Sequence, residues 1–408
     1  MSESVLVVGF NVRPLARSAK RGGYRVLAVD FWGDLDLEEW ADEYYAVLDQ
    51  QPDQRPDRPN TPTVEALVKG AQQILEEYGP VDYILASGGF DDHPEAWNQL
   101  GNLGTLVGNT PEGMQAARNR ALTQETAKRV GAAIPRSYEI SEISQFQWAT
   151  NQLELPILAK PKHGSGGFHS RILRTDEDID HYSVRHRPSL QEPILVQELI
   201  HGIDASVSLL STGQEVQTVS VNEQLIGLPE LGKARTKAYC GNIVPLKVPA
   251  KIVKTLKTIS EDICSYLKLI GSNGIDYVID KKGTPFFMEI NPRIQATIEA
   301  LELVTNSNVA TMHIDAWKGA LPTEPPIPKA YCVRIIVYAK TQCQIPNLSN
   351  IPGVVDIPIP GSHANSGDPI CTVNHIAASK KKALEGAWEL ANTIYSYIIP
   401  TPPLPEDQ

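Results

Sequence analysis

The first hundred residues alternate short apolar runs with amphipathic stretches, and this pattern predicts an α/β domain. Apolar residues 5–8 are followed by a glycine turn, a helical pattern over 13–21, and a second strand pattern over 24–30. A helix over 64–78 and a strand over 81–86 follow. We therefore predict a doubly wound domain over residues 1–115. Its first turn has one glycine where the dinucleotide fingerprint needs three, so a dinucleotide is not expected.

A different pattern begins after residue 110. A long helical stretch is predicted over 111–130, with Pro111 suited to its first turn. Strands and short helices then continue to about residue 320, which predicts a central domain over 116–320. The segment 51–62, rich in Pro, Asp, Gln and Arg, is expected to be a surface loop.

The last segment is predicted to be a small α+β domain over residues 330–400, separated from the centre by a stiff proline-rich linker over 322–328. Its strand and helix patterns cover 331–338, 354–359, 370–375 and 379–399.

Composition narrows the class of protein. The 408 residues carry a net charge of −11, and no basic stripe dominates, so nucleic acid is not an expected partner. Five scattered cysteines with no CxxC pair favour neither a zinc site nor a disulfide framework. No apolar run is long enough to span a membrane, and no signal peptide is seen, so we expect a cytoplasmic protein.

The most informative pattern is a predicted hairpin near residue 280. Strand patterns over 274–279 and 284–290 flank a turn, and a symmetric hairpin places Asp276 directly opposite Glu289. Asn291 shares the face of Glu289, because strand side chains repeat with period two. Two opposed carboxylates repel each other unless a cation lies between them. With Arg293 two residues further on, the pattern indicates a divalent metal that also touches phosphates.

Two further segments could form a nucleotide site. Lys160 and Lys162 share one face of a strand that enters a glycine-rich loop containing Ser165, Gly166 and Gly167. A lysine in an apolar strand is costly to bury without an anion, and glycines let backbone N–H groups approach phosphates. A flexible hairpin loop is the alternative interpretation, and the spacing is not that of a Walker P-loop. A later strand ends in Gln197-Glu198 and leads to Asp204, a weak signal taken alone.

Taken in order, these motifs resemble the ATP-grasp superfamily over roughly residues 5–320. Glu289 to Gln295 is most similar to the biotin carboxylase branch, and residues 367–373 resemble its small closing domain. The resemblance implies a pre-ATP-grasp doubly wound domain, a two-subdomain ATP-grasp fold and a small C-terminal α+β domain.

The resemblance also implies roles for particular residues. Magnesium, or manganese, would be bound by Asp276, Glu289 and Asn291. ATP phosphates would be held by Lys160 and covered by Lys162 or by Ser165, Gly166 and Gly167. Adenine would contact Gln197, Glu198 and the backbone near Ile200, and the ribose would contact Asp204. Arg293 and Lys160 would be the catalytic residues. Arg120 stands where the family often has a lysine, which leaves its phosphate role open.

The implied activity is an ATP-dependent carboxylate–amine ligase that forms ADP, with small-molecule substrates and a possible homodimer. A bicarbonate-activating carboxylase and a non-catalytic ATP-binding regulator are the alternatives. Arg13, Gln224 and Asn242 are candidate substrate residues, although a solvated loop explains Gln224 and Asn242 equally well. The turn at 87–89 could bind a ligand or be a plain tight turn.

Overall fold

The computed structural model describes residues 2–53, 63–162, 164, 166–167, 169–233 and 236–402. Most of the surface loop predicted over 51–62 lies outside this part of the chain. Within it, no helix combines the length and apolar composition that crossing a bilayer requires.

The N-terminal part is a parallel sheet with helices on both faces. Its elements are β1 (Ser4–Gly9), α1 (Arg13–Arg21), β2 (Arg25–Asp30), β3 (Glu43–Ala46), α2 (Thr63–Tyr78), β4 (Tyr83–Ala86), α3 (Pro94–Leu103) and β5 (Leu106–Val107). The strand order is β3-β2-β1-β4-β5. Alternate residues of β1 pack against α1 on one face and α2 on the other, so the strand is apolar at successive positions.

The stretch predicted as helical over 111–130 is helical in the structure, but it is divided into two helices. It forms α4 (Pro111–Arg118) and α5 (Arg120–Arg129), which meet at Asn119. The backbone of Asn119 is extended, with ψ of 96°, and its side chain accepts a hydrogen bond from the Leu122 N–H. Asparagine is a strong N-cap residue, so a second helix starts here.

A small antiparallel sheet follows, with strand order β6-β9-β7-β8. Its elements are β6 (Ser137–Ile140), α6 (Ser144–Leu153), β7 (Ile157–Pro161), β8 (Arg171–Leu173), α7 (Asp176–His186) and β9 (Ile194–Glu198). The two helices bury Phe146 and Tyr182 against the sheet, which gives this unit its own core.

The second central unit contributes five long strands to a larger antiparallel sheet. Its elements are β10 (Gly202–Thr212), β11 (Val216–Ile226), β12 (Tyr239–Val244), α8 (Ala250–Tyr266), β13 (Ile270–Asp280), β14 (Pro285–Asn291), α9 (Ile298–Val304) and α10 (Val309–Trp317). Helix α8 packs on one face of the sheet, and α9 and α10 connect the sheet to α1.

The C-terminal segment continues this same sheet. Its elements are β15 (Tyr331–Tyr338), β16 (Cys343–Gln344), β17 (Val354–Val355), β18 (His363–Ala364), β19 (Pro369–Ala377), α11 (Lys380–Tyr397) and β20 (Ile399–Pro400). Strand β15 pairs with β12, giving the order β14-β13-β10-β11-β12-β15-β19-β17. The segment predicted as a separate small domain therefore shares its sheet with the central region.

A buried group of charges joins the three regions of the chain. Arg13 in α1 donates to Glu299 in α9, and its Nε lies 2.8 Å from Asp356 Oδ1. Arg334 in β15 binds the same two carboxylates, each at 2.7 Å. We call Arg13, Glu299, Arg334 and Asp356 the ion cluster. The side chain of Arg13 is 1% exposed and its guanidinium binds carboxylates of the protein itself, so nothing in this arrangement supports a contact with a substrate, and that role of Arg13 stays a prediction.

Replacing Arg13 should destabilise the fold strongly. Arg13→Ala leaves Glu299 and Asp356 short of a buried counter-charge, which should lower the free energy of unfolding by about 3–5 kcal/mol. Urea unfolding followed by circular dichroism measures the change. The matched control is Arg129→Ala, because Arg129 pairs with Glu125 on the surface with 58% of its side chain exposed, where about 1 kcal/mol or less is expected. Equal losses in the two variants would contradict a structural role for the ion cluster.

Candidate nucleotide and metal site

The hairpin at the end of the large sheet has the predicted register. Strands β13 and β14 pair antiparallel with Asp276 opposite Glu289 and Gly274 opposite Asn291. A β-bulge between Asp276 and Tyr277 shifts the pairing beyond this point. Three oxygen-bearing side chains are thus gathered on one patch of the sheet.

Hydrogen bonds orient the two acids and the amide. Asp276 Oδ1 accepts from Gln224 Nε2 at 3.1 Å, and Asp276 Oδ2 accepts from Asn291 Nδ2 at 3.0 Å. Both donors are neutral, so they hold the carboxylate without cancelling its charge. Burial, with the nearby charge of Glu289, raises the pKa of Asp276 to about 7. Asp276 therefore takes up a proton near neutral pH unless a cation stabilises its charged form.

Glu289 stays ionised because cations surround it. Burial alone would raise its pKa, but Lys160, Arg118 and Arg293 together hold the pKa of Glu289 below its ordinary value. Lys160 Nζ lies 3.6 Å from Glu289 Oε2. The site thus combines a carboxylate that keeps its charge with one that a proton or a cation must neutralise.

The arginines at the site are held by an acidic pair from the N-terminal domain. Arg293 Nε lies 2.9 Å from Asp91 Oδ2, and Arg118 binds Asp92 through two hydrogen bonds of 2.7 and 3.0 Å. Asp92 also accepts a 2.8 Å bond from the backbone N–H of Gly164. The turn that follows β4 therefore positions both arginines and one end of the glycine-rich loop.

The glycine-rich loop lies directly against the segment before β12. The Gly166 carbonyl accepts from the Tyr239 N–H at 3.0 Å. A Cβ built on Gly167 would lie 2.0 Å from the Lys237 carbonyl oxygen, and the φ of Gly167 is +67°. Glycine is required here by backbone conformation and by close approach. Ser165, predicted to cover the phosphates, lies outside the described residues.

One cavity of about 280 Å³ brings most predicted site residues together. The predicted residues that line it are Lys160, Lys162, Gly166, Gly167, Gln197, Asp204, Gln224, Asp276, Glu289, Asn291 and Arg293. They come from the small sheet, its glycine-rich loop and the large sheet. The cavity therefore lies between the two central units.

Besides Arg13, four of the predicted residues that the structure describes lie away from this lining. Glu198 binds the side chain of Arg136, and Ile200 follows it without reaching the cavity. Arg120 donates to Ser137 and Gln197 and lines a neighbouring open cleft of about 680 Å³. Asn242 is fully buried within β12 and does not line the cavity, so its role toward a substrate stays a prediction.

Sequence reasoning missed several residues of the cavity. Lys237 binds Asp204 with an Nζ–Oδ1 distance of 3.1 Å, and Met288 lines the same wall. Arg118 was also missed, although the break between α4 and α5 places it there. The signal in the sequence was Asn119, which lies between Arg118 and Arg120 and is a residue type that often begins a helix.

The donor set fits a hard divalent cation. Asp276, Glu289 and Asn291 offer two carboxylates and an amide oxygen, and Mg²⁺ commonly takes one or two carboxylates with phosphate oxygens and water. Burial and the charge of Glu289 raise the pKa of Asp276, and a cation bound between the two carboxylates would oppose both effects. No group of three or more His, Cys, Asp and Glu side chains among the described residues forms a metal cluster. Phosphate and water would therefore complete the coordination.

Comparisons with known proteins support the same interpretation of the central region. Residues 117–297 match the sequence family described as the ATP-grasp domain. A relative from Methanocaldococcus jannaschii, an uncharacterized protein, is 28% identical over 371 residues, covering 90% of this chain and 87% of the relative. The resemblance inferred from the motifs is therefore confirmed for the central region.

Solved structures confirm the predicted fold. The biotin carboxylase domain of Hydrogenobacter thermophilus 2-oxoglutarate carboxylase, solved as a dimer with MgADP and bicarbonate, matches with a TM-score of 0.73 and 15% identity. The match covers 98% of this chain and 90% of that one. N5-carboxyaminoimidazole synthetase from Staphylococcus aureus, complexed with ADP, matches with a TM-score of 0.68 and 14% identity, covering 96% of this chain and 98% of that one.

A side chain at Gly167 should displace the loop. Gly167→Ala forces its Cβ against the Lys237 carbonyl, and we expect a loss of about 1–3 kcal/mol in affinity for a fluorescent ADP analogue. Gly131→Ala is the matched control, since Gly131 has φ of +86° and its added Cβ would meet no described atom within 4 Å. Equal effects of the two substitutions on nucleotide titrations would contradict the steric argument.

Binding of a divalent cation should strengthen as pH rises. Asp276 has a raised pKa, so its proton is bound below about pH 7 and must leave before a cation binds. Affinity for Mn²⁺, measured by electron paramagnetic resonance, should rise by up to about tenfold per pH unit below the pKa and level off above it. Asp276→Asn should remove this dependence. A pH-independent wild-type affinity would be inconsistent with competition at Asp276.

Proposed function

We propose that this chain, whose residues 117–297 belong to the ATP-grasp family, is an ATP-dependent ligase that activates a carboxylate and joins it to an amine. The observation that carries the proposal is the single cavity in which Lys160 and Arg293 flank the opposed pair Asp276 and Glu289. Two solved structures with this fold contain ADP, and one of them contains MgADP with bicarbonate.

The nucleotide would lie between the two central units. Lys160 and Lys162 would bind its phosphates, and the loop around Gly166 and Gly167 would cover them with backbone N–H groups. Gln197 and Met288 would line the base side of the cavity, where Gln197 Nε2 lies 3.5 Å from Met288 Sδ. Asp204, fixed by Lys237, would accept from ribose hydroxyls.

Magnesium would be held by Asp276, Glu289 and Asn291, and when bound it neutralises phosphate charge during transfer. The chain's own residues supply the rest of the positioning. Arg293 is fixed by Asp91 and points its positive charge toward the reacting groups, where it would steady the acyl phosphate. ATP supplies the phosphoryl group, and the acyl phosphate then reacts with an amine to release phosphate.

Water must be excluded while the acyl phosphate exists, because hydrolysis competes with transfer. The glycine-rich loop is the candidate cover, since it already contacts Asp92 on one side of the cavity and Tyr239 on the other.

A second candidate is a bicarbonate-activating enzyme, favoured by the bicarbonate in the H. thermophilus domain structure. A non-catalytic regulator would be expected to lack a metal-binding side chain or the phosphate-binding lysine, and this chain has Lys160, Asp276, Glu289 and Asn291.

Phosphate release from ATP tests the proposal. The protein should release phosphate with Mg²⁺ and a suitable acid and amine, scanned as a panel of amino acids and amines, with bicarbonate alone as a separate arm. Glu289→Gln should lower turnover by about 10²-fold or more while circular dichroism stays unchanged. Glu385→Gln is the control, because Glu385 pairs with Lys381 on the exposed face of α11.

The outcomes separate the candidates. Turnover that requires bicarbonate and ignores every acid and amine would replace the ligase with the second candidate. Undiminished turnover of Glu289→Gln would refute the metal site.

A further inference from the structure

A second cavity of about 460 Å³ adjoins the nucleotide cavity. It lies between the N-terminal sheet, the segment after β14 and the C-terminal strands. The two cavities share five lining residues, Gly166, Tyr239, Arg293, Gln295 and Ala296. A molecule in the second cavity would therefore meet the nucleotide at Arg293, which defines this shared end as the place of reaction.

The walls of the second cavity are mainly apolar and aromatic. Phe10 and Trp32 line it from the N-terminal domain, and Ile336, Tyr338 and Ile370 line it from the C-terminal strands. Small-molecule sites are typically cavities of about 300–1,000 Å³ with apolar walls and a few polar groups. The shape and lining thus suit a ring or a hydrocarbon chain.

Polar atoms without partners converge on the same cavity. Asn11 Oδ1, Ser87 Oγ, Tyr239 Oη and His363 Nδ1 are buried and have no hydrogen-bond partner among the described residues. All four residues line the cavity, and Ser87 is 9% exposed. Buried polar atoms are nearly always hydrogen-bonded, so these four are the groups with which a ligand in the cavity, or water, would pair.

Most charged groups that line the cavity already have partners. Arg334 binds Glu299 and Asp356 within the ion cluster, and Arg293 binds Asp91. Asp368 accepts from the backbone N–H of Asn365 at 3.0 Å.

Asp34 is different. Its side chain is 6% exposed, and its carboxylate accepts no hydrogen bond from the described residues. Burial and the neighbouring Asp30, Asp356 and Asp36 raise the pKa of Asp34 well above its ordinary value, although the charge of Arg13 opposes the shift, and a cation in the cavity would oppose it further.

The loop that carries Asp34 is fixed in place. Asp30 accepts hydrogen bonds from the backbone N–H groups of Val12, Trp32 and Gly33 at 2.6 to 2.8 Å. These bonds fix the loop so that Trp32 and Asp34 both line the cavity. An aromatic ring beside a carboxylate is a favourable environment for an ammonium group.

We propose that the second cavity binds a substrate with an apolar ring or chain and a positively charged amine, the amine lying against Asp34 and Asn11 Oδ1. The inference rests on the proposed function for the position of the reaction. An ammonium group has no free electron pair, so the nitrogen held at Asp34 is not the nucleophile. The reacting carboxylate or second amine of the same molecule lies toward Arg293. The substrate class is therefore a bifunctional apolar compound with a distal ammonium.

Three probes of matched size and different charge test this directly: phenethylamine, 2-phenylethanol and phenylacetate. Each is titrated into the full chain, with and without MgADP, and followed by ligand-observed NMR. Phenethylamine should bind at least about tenfold more tightly than 2-phenylethanol, and phenylacetate should bind most weakly. Asp34→Asn should lower phenethylamine affinity by about tenfold and leave 2-phenylethanol unchanged.

The control is Asp262→Asn, an exposed carboxylate on α8 whose removal changes net charge by the same amount. The affinity for MgADP, measured in the same samples, should be the same in both variants and in the wild-type chain. If the wild-type chain fails to bind MgADP, the proposed function is refuted, while the binding of the three probes still tests the second cavity. If Asp34→Asn does not fold, the ranking of the three probes on the wild-type chain still decides. Equal binding of amine and alcohol, or no saturable binding of the amine, overturns the proposal.

Discussion

The ion cluster is the constraint on which the rest of the structure depends. Arg13 and Arg334 are shared between Glu299 and Asp356, so one buried unit takes side chains from helix α1 of the N-terminal domain, from the central region and from the C-terminal segment. Each arginine of the cluster binds both carboxylates, and Asp36 Oδ2 lies a further 3.3 Å from Arg13 Nε. This mutual pairing offsets the cost of burying the charges. Because the cluster lies beside the second cavity, it fixes the distance between the walls that a substrate would touch.

Two buried carboxyl groups outside the ion cluster mark the cavities where ligands would bind. Asp276 and Asp34 are buried carboxyl groups, and each has a raised pKa because burial and neighbouring carboxylates outweigh the nearby arginines. One faces the nucleotide cavity and the other the second cavity. Buried charges are normally paired, so unpaired ones in cavities are the places where a ligand completes the structure.

The sequence allowed the elements near the chemistry to be predicted well. The opposition of Asp276 and Glu289 was predicted from a symmetric local hairpin, which needs no distant information. The pairs nearer the turn are one residue out from that register, and a β-bulge between Asp276 and Tyr277 brings the two acids opposite each other. The exact bounds of the helix over 13–21 follow in the same way. Contacts far apart in sequence could not be predicted. Arg13 was expected at a substrate, and only the fold brings it to Asp356, 343 residues away.

The residues that link the two cavities could not be predicted either, because their contacts are also distant in sequence. Asp91 and Asp92 follow a turn whose function the sequence left open, and they are joined to Arg293 and Arg118 only by the packing of the N-terminal domain against the central region. Arg293 lines both cavities while Asp91 holds it. A phosphate on one side and a substrate on the other would therefore meet the same guanidinium, whose position is set by a carboxylate from a third region of the chain. Specificity for the second substrate thus depends on the N-terminal domain, although the metal and nucleotide residues belong to the central one.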